Sequence, residues 1–134
     1  MKVNEVEAEI LTGSADPAIS SQELLTLGPD LCVVTLGPEG SFFRVAGGGE
    51  AVPPFRVKTV DATGCGDAFV AGLIVQLIGG EGWRAQLTVA RMRDALRYAN
   101  AVGALTSLNL GVIPALPTTK QVGEFLRRGD RNGS

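Results

Sequence analysis

The chain has 134 residues, a formal net charge of −2 at pH 7, and a composition that is 45% hydrophobic and 19% charged. This length suits one compact domain with a modest core, and the composition excludes a disordered chain. The slightly acidic balance argues against a nucleic-acid partner, and the apolar runs are too short or too often broken by glycine to span a membrane.

The N-terminal part is predicted to form two short helices. The first covers residues 5–11 and ends at Gly13, which favours a left-handed helix end. Ser20 and Glu23 have the spacing of a capping box, so we place the start of the second helix there. Gly28 and the proline after it end this helix.

The next segment is predicted to supply most of the sheet. Residues 31–37, LCVVTLG, form a continuous apolar run that is typical of a strand buried on both faces, with Cys32 as a small buried residue. Residues 40–52, GSFFRVAGGGEAV, predict a second strand, a glycine turn and the start of a third strand. The alternating FRVKTV that follows leads into a glycine-rich segment.

The C-terminal half is predicted to be helical. Residues 67–78 are apolar nearly all round, which indicates a buried helix. Residues 83–107 predict a long amphipathic helix, in which we interpret Trp83 and Met92 as core residues. After a Gly/Pro loop, Thr118 is predicted to cap a last helix.

Strands that alternate with helices predict an α/β layer fold with a central, largely parallel sheet. The chain is predicted to open directly with a helix and to offer few strands. Such a sheet would leave an edge or a face unpaired, so we expect the second part of a larger domain and, unless another chain covers the edge, self-association.

The stretch TVDATGCGDAFVAGL, residues 59–73, has the composition of a phosphate site. A helix that starts at or just after Gly66 leaves its first amide N–H groups without intrahelical partners, and the helix dipole adds about half a positive charge there. Glycines let a ligand approach the backbone closely, so this start predicts an anion hole. Asp67 beside it can take the proton from a hydroxyl that attacks a phosphoryl group.

Each of these patterns also has a simpler interpretation. A bare Gly-x-Gly-Asp is typical of a strand-to-helix turn with Asp67 as the N-cap, and the stretch is neither a P-loop nor a complete dinucleotide fingerprint. Asn4 and Glu7 have the spacing of an ordinary N-cap with a reciprocal glutamate. Gly37 and Gly40 suit a hairpin turn. The residues alone leave these alternatives open.

Four segments in chain order, KVNEVEAEILTG, VVTLGPEGSFF, DATGCGDAFVAGL and YANAVGALTSLNLGVIPALPT, share a wider pattern. They resemble four segments of the PfkB (ribokinase-like) carbohydrate kinases, and within that family they are most similar to fructokinases. The family segments are K-x-N-x-x-E, V-T-L-G-x-x-G, D-T-x-G-A-G-D-x-F and N-A-x-x-A-L-T…G-x-x-P-x-x-P-T. The resemblance implies a ribokinase-like three-layer α/β/α sandwich. Residues 1–134 would be its C-terminal, ATP-binding and catalytic part, without the N-terminal part that binds the sugar and closes over it.

The resemblance implies ATP-dependent phosphorylation of a sugar hydroxyl. The charged start of the chain, MKVNEVEAEI, has no signal-peptide apolar core, so we expect a cytoplasmic location. Asp67 would be the catalytic base, and the backbone amides of Gly64, Cys65, Gly66 and Asp67 would form the anion hole. Cys65 replaces the family's usual alanine, which leaves the backbone amide unchanged. A nucleotide- or phosphate-binding module without turnover is the alternative, because catalysis needs the sugar held near the transferred phosphate.

The resemblance also assigns residues to ATP and to cations. Thr35, Gly37 and Gly40 would line the phosphates and ribose of ATP, and Asn100 would lie near the adenine. Mg²⁺ and phosphate would be organised by Asn4 and Glu7. A monovalent cation such as K⁺ would lie by Asp61 and Thr63, with carbonyls of residues 103–111. The implied partners are ATP and a small sugar.

Overall fold

The computed structural model describes residues 1–55, 65–78, 82–107 and 119–131. Strands and helices alternate irregularly along these ranges, and a 3₁₀ turn over Gly37–Glu39 joins two of the strands. The elements are β1 (Lys2–Asn4), α1 (Glu5–Thr12), α2 (Pro17–Leu25), β2 (Cys32–Thr35), β3 (Ser41–Val45), β4 (Gly48–Val52), α3 (Cys65–Ile78), α4 (Val89–Ser107) and α5 (Thr119–Arg131).

The described strands form one four-stranded sheet in the order β1-β2-β3-β4. β1 pairs with β2 in parallel, whereas β2–β3 and β3–β4 are antiparallel. The sheet in the described ranges is therefore mixed, which corrects the prediction of a largely parallel sheet. The reason is that short turns connect β2 to β3 and β3 to β4, and a short turn reverses the direction of the chain. β1 also corrects the prediction that the chain opens with a helix, since a three-residue strand is too short to give a recognisable alternation.

One face of the sheet packs against the two longer apolar helices. Side chains that alternate along β2 and β3, Val33 with Phe43 and Val45, are buried against α3 and α4. The helices contribute Phe69, Leu73, Met92, Ala95, Leu96 and Ala99 to the same cluster. Because side chains of a strand alternate between faces, the neighbours of these residues point to the opposite side.

The opposite face packs against α1 and α2. Here Cys32 and Val34 of β2 form a second buried cluster with Val3, Ala8 and Leu24. Helices thus cover both faces of the sheet, which confirms the predicted α/β class and the three layers. The burial of Cys32 and of Met92, both 0% exposed, confirms their interpretation as core residues.

The start of α2 differs from the prediction. Asp16 is its N-cap and accepts a hydrogen bond from the Ala18 amide at 2.9 Å, and Pro17 occupies the first turn. Ser20 lies inside the helix and is buried, so it does not cap anything. Aspartate followed by proline is a stronger helix start than the capping-box spacing, because proline at the first position has no amide to leave unpaired.

Two apolar segments are more exposed than their sequence predicts. In α3, Ile74, Val75 and Ile78 face outward, so this helix is buried along one side and not all round. Trp83 is 43% exposed, and the Arg84 guanidinium lies over its ring, 4.6 Å from the ring centroid. It lies in a 3₁₀ turn ahead of α4 rather than in the core, because α4 begins only at Val89.

The last helix packs on the C-terminal part of α4. Ala101 and Val102 of α4 are buried with Ala68 of α3 and Val122 of α5. The predicted cap of this helix, Thr118, lies outside the described residues. In the part of the chain that the structure describes, no helix combines the length and the apolar character needed to cross a membrane.

Candidate functional site

Several predicted site residues lie at one edge of the sheet. Asn4 ends β1 and is the register partner of Thr35, which ends the parallel strand β2. Thr35 pairs in turn with Ser41, the first residue of β3, and Ser41 pairs with Val52, the last residue of β4. The carboxyl ends of parallel strands are where open α/β sheets bind ligands. The residues predicted to contact Mg²⁺ and ATP therefore share one rim of the sheet.

Asn4 and Glu7 form a complete capping box at the start of α1. The Asn4 Oδ1 atom accepts a hydrogen bond from the Glu7 amide at 2.8 Å, and the Glu7 carboxylate accepts one from the Asn4 amide at 3.2 Å. Asn4 Nδ2 also donates to Glu7 Oε1 at 3.0 Å. The capping interpretation is confirmed. Both side chains are exposed, and a carboxylate can accept about four hydrogen bonds, so Glu7 keeps acceptor capacity for a ligand.

The turn between β2 and β3 depends on two glycines with positive φ. Gly37 has φ +59° and faces solvent, whereas Gly40 has φ +97° and is buried. The Leu36 amide donates to the Gly40 carbonyl at 2.8 Å, and the Gly40 amide donates to the Gly37 carbonyl at 3.2 Å. This confirms both glycines as turn residues and leaves the outer side of the turn open.

Gly40 also packs directly on the backbone that leaves β4. A Cβ atom added at Gly40 would lie 2.3 Å from the Val52 carbonyl oxygen and 2.9 Å from the Pro54 nitrogen. Real Cβ atoms do not approach backbone atoms so closely, so only glycine fits here. The turn and the end of β4 are consequently in backbone-to-backbone contact.

Asn100 of α4 reaches the same place from the helix layer. Its Nδ2 atom donates to the carbonyl oxygen of Pro53 at 3.0 Å and to that of Val52 at 3.5 Å. Its Oδ1 atom accepts a hydrogen bond from the Ser41 hydroxyl at 3.4 Å. Asn100 thus lies next to the Gly37–Gly40 turn, and its side-chain amide bonds to protein atoms.

The helix that follows the glycine-rich stretch begins at Cys65, one residue before the predicted start. The amides of Cys65, Gly66 and Asp67 belong to its first turn and so have no intrahelical acceptor. Gly66 and Asp67 are exposed, and a Cβ atom at Gly66 would meet nothing within 4 Å. Among the described residues, no hydrogen bond or ion pair joins the Asp67 carboxylate to the rim of the sheet. Phe69 and Leu73, on the other side of the helix, anchor it in the core.

The other predicted site residues cannot be compared with the structure. Gly64, Asp61 and Thr63 lie outside the described residues, as do residues 108–111 of the predicted cation loop. For Cys65 the structure gives the helical backbone alone. In the ranges that the structure describes, no group of three or more Asp, Glu or Cys side chains could hold a metal ion directly.

Sequence reasoning missed four residues of this region, Ser41, Pro53, Pro54 and Phe55. Ser41 and the consecutive Pro53 and Pro54 contact Gly40 or Asn100, from positions up to 59 residues away in the chain. Phe55 follows them and lies between the Arg97 guanidinium, 5.3 Å from the ring centroid, and the Phe125 ring at 5.0 Å. The two prolines could have indicated this region, because proline has no N–H to donate to a β-ladder and therefore marks the end of a strand.

Three pKa shifts belong to the scaffold around the site. Burial raises the pKa of the Cys32 thiol, because the thiolate would lose its hydration inside the sheet. The hydrogen bond from Arg93 of α4 lowers the pKa of Glu50 on β4 and raises that of Arg93. The Arg93 Nη2 atom lies 2.9 Å from the Glu50 carboxylate, so this pair ties α4 to β4 at the surface.

Comparison with curated proteins gives fructokinases among the relatives of this chain. Probable fructokinase-4 of Arabidopsis thaliana is 39% identical over 131 residues, which make up 95% of this chain and 39% of the relative. Fructokinase-2 of Solanum habrochaites is 37% identical over 132 residues, or 96% of this chain and 39% of the relative. The chain therefore spans about two fifths of the length of the relatives it matches.

Solved structures agree with these relatives. The fructokinase of Vibrio cholerae O395, solved with fructose, ADP and a calcium ion, superposes with a TM-score of 0.80 at 34% identity and covers 93% of this chain and 40% of that one. The ribokinase of Thermotoga maritima gives a TM-score of 0.77 at 26% identity, over 94% of this chain and 41% of that one. The predicted ribokinase-like fold is thereby confirmed. The family model described as pfkB family carbohydrate kinase matches residues 1–119, and the chain belongs to that family.

Proposed function

We propose that this chain provides the nucleotide side and the catalytic base of an ATP-dependent sugar kinase. One observation carries the proposal: Asp67 is an exposed carboxylate in the first turn of α3, beside backbone amides that have no intrahelical acceptor. A carboxylate in that position can accept the proton of an attacking sugar hydroxyl, and the amides can stabilise the negative charge of the transferred phosphoryl group. The proposed anion hole comprises the amides of Gly64, Cys65, Gly66 and Asp67.

The rim of the sheet is proposed to bind ATP. Thr35, Gly37 and Gly40 follow the carboxyl end of a parallel strand, and the turn offers an open backbone to phosphate and ribose. Asn100 borders the same turn from α4. The fructokinase of Xylella fastidiosa, solved with bound ATP, supports a nucleotide in this fold, with a TM-score of 0.83 and 27% identity over 96% of this chain and 42% of that one.

The residues present suit Mg²⁺ held through water rather than by a direct cage. The Glu7 carboxylate accepts two hydrogen bonds from Asn4 in the capping box and can accept further hydrogen bonds from metal-bound water. Asn4 holds Glu7 in place. Bound Mg²⁺ would neutralise phosphate charge during transfer. A K⁺ site at Asp61 and Thr63 also remains a proposal, and the Vibrio cholerae double-mutant fructokinase solved with a potassium ion gives it support.

The proposed acceptor is a small sugar, with fructose as the first substrate to test. The test measures fructose-dependent release of ADP from MgATP by the chain and by Asp67→Asn, which keeps the shape of the side chain and removes its basicity. We expect weak turnover at most in the wild type, a loss of about 10²-fold or more of that turnover in the variant, and nucleotide affinity that changes little. An Asp67→Asn variant with full activity would exclude Asp67 as the base.

Binding without turnover is the second candidate function, because the chain matches about two fifths of the length of its relatives, one of which was solved with fructose and ADP bound. The same assay separates the two candidates, since this one predicts MgATP binding with no fructose-dependent ADP.

Self-association is a further proposal, made because β1 is an end strand of the described sheet and Val6 and Ile10 beside it are exposed. A clean monomer by size-exclusion chromatography would contradict it.

A further inference from the structure

We infer that Asn100 is a positioning residue, which fixes the Gly37–Gly40 turn and the end of β4 instead of binding the base of the nucleotide. The inference rests on the proposed function only where it concerns ATP. The group of residues involved, here named the Asn100 junction, consists of Gly40, Ser41, Val52, Pro53 and Asn100.

The hydrogen bonds of Asn100 support this role. A side-chain amide has two N–H donors and one oxygen with two lone pairs. Both donors of Asn100 are directed at backbone carbonyls, those of Val52 and Pro53, and one lone pair receives the Ser41 hydroxyl. One lone pair is left for a ligand. A base that needed a donor from Asn100 would have to displace a backbone contact.

Backbone packing extends the effect of Asn100 to the turn. Gly40 contacts the Val52–Pro54 backbone with no room for a Cβ atom, so a shift of that backbone moves Gly40 with it. Ser41 is the next residue and bonds Asn100 directly. The strand end and the turn, already joined by the pairing of Ser41 with Val52, therefore also share one side chain of α4.

A positioning role and a contact with the adenine base predict different effects of losing Asn100. If Asn100 acts through the turn, its loss weakens binding of the phosphate chain itself, whatever base is attached. If Asn100 binds adenine directly, its loss weakens binding of ATP and leaves binding of inorganic tripolyphosphate unchanged. The two roles are thus separated by a ligand that has phosphates and no base.

The first experiment needs no ligand. Amide hydrogen exchange is measured at Leu36, Glu39 and Gly40, whose hydrogen bonds close the turn. In Asn100→Asp, the carboxylate faces two carbonyl oxygens and donates to neither, so exchange at these amides should rise about five-fold or more relative to amides of α2. Asp94→Asn, an exposed carboxyl-to-amide change on the same helix, should leave the turn unchanged.

A milder variant checks that the rise in amide exchange is confined to the turn. Ser41→Ala removes only the hydroxyl that bonds Asn100 Oδ1 and should raise exchange at the same three amides by a smaller factor. Unchanged exchange in the turn of folded Asn100→Asp would overturn the inference. An equal rise in every element would also overturn it, because it would show general loss of stability in place of positioning.

The second experiment titrates MgATP and Mg-tripolyphosphate into the wild type and Asn100→Asp. The inference predicts that both dissociation constants rise by the same factor, about five-fold or more. A rise for MgATP alone would overturn it in favour of an adenine contact. If the wild type binds neither probe, the proposed nucleotide site fails in this chain, and the exchange experiment still decides the positioning role.

Discussion

The candidate site is built from two regions that are held in different ways. Asn4 and Glu7, on β1 and α1, are exposed and are fixed by a capping box between residues three positions apart. The Gly37–Gly40 turn is fixed by contacts with β4 and α4, which lie far away in the sequence. A change in the first region should therefore alter chemistry with little loss of stability, whereas a change in the second should alter both.

The two regions also differ in how deeply their side chains are buried. In α1 the buried residue is Ala8, and Ile10 and Leu11 are 77% and 61% exposed. Phe43 of β3, three residues after Gly40, is 0% exposed in the larger core cluster. The comparison indicates that the hairpin β3–β4 with α3 and α4 carries most of the stability, and that α1 adds functional groups at its margin.

The largest effect is expected from Phe43→Ala. Removal of a fully buried ring leaves a cavity between the sheet and the helices, and should lower the free energy of unfolding by about 3–5 kcal/mol. Ile10→Ala, on the exposed side of α1, should change it by about 0.5 kcal/mol or less. Urea denaturation of both variants measures the difference. Equal losses would contradict the division between the two regions.

Gly40→Ala should give the next largest effect. Its φ of +97° and the 2.3 Å approach of a Cβ atom to the Val52 carbonyl should together cost about 2 kcal/mol or more. Gly47→Ala is the matched control, because Gly47 lacks a positive φ and nothing lies within 4 Å of its added Cβ atom. Thermal denaturation of the pair checks this, and a Gly40→Ala variant as stable as Gly47→Ala would refute the close packing.

Asn4→Ala should lower the free energy of unfolding by about 1 kcal/mol, because the Glu7 amide loses its acceptor. Asn4→Asp keeps that acceptor but loses the donor to Glu7 Oε1 and places a second carboxylate beside it, so only part of the stability should be retained. Chemical denaturation gives the stabilities. A loss as large as that of Phe43→Ala would show that β1 and α1 carry more of the fold than their exposure indicates.

A pH dependence of stability is expected from Cys32. Burial raises the pKa of this thiol in the folded chain, so above the ordinary thiol pKa of about 8.5 the unfolded chain ionises first. Stability should then fall as pH rises, by at most about 1.4 kcal/mol per pH unit from this group, and the contribution should be fully present below that pKa. Urea midpoints between pH 7 and 10 should fall more steeply for the wild type than for Cys32→Ala. Parallel curves would contradict the burial of the thiol as the cause.

The elements of the fold that depend on local patterns were predicted well. The first helix ends at Gly13, with φ +79°, as expected of a glycine in a left-handed helix end. The long apolar runs gave β2 and β3, and the Asn4–Glu7 spacing gave the capping box. These features are encoded within a few residues, so no knowledge of tertiary contacts was needed.

The features that the sequence did not predict depend on distant partners. β1 is a strand because three residues pair with β2, about 30 positions away. The exposure of Trp83 and of the outer side of α3 depends on which surfaces the neighbouring elements cover, and apolar character alone cannot say this. The contacts of Asn100 likewise join positions 41, 52, 53 and 100.

The measurement that tests the central claim most directly is a calorimetric titration of MgATP, with K⁺ present, into the folded wild-type chain and Asp67→Asn. The account predicts saturable binding in the micromolar to millimolar range for both proteins, because backbone amides and the Gly37–Gly40 turn hold the phosphates, whereas Asp67 acts on the sugar hydroxyl. No binding to a wild-type chain that denatures cooperatively would contradict the claim that these residues form a nucleotide site.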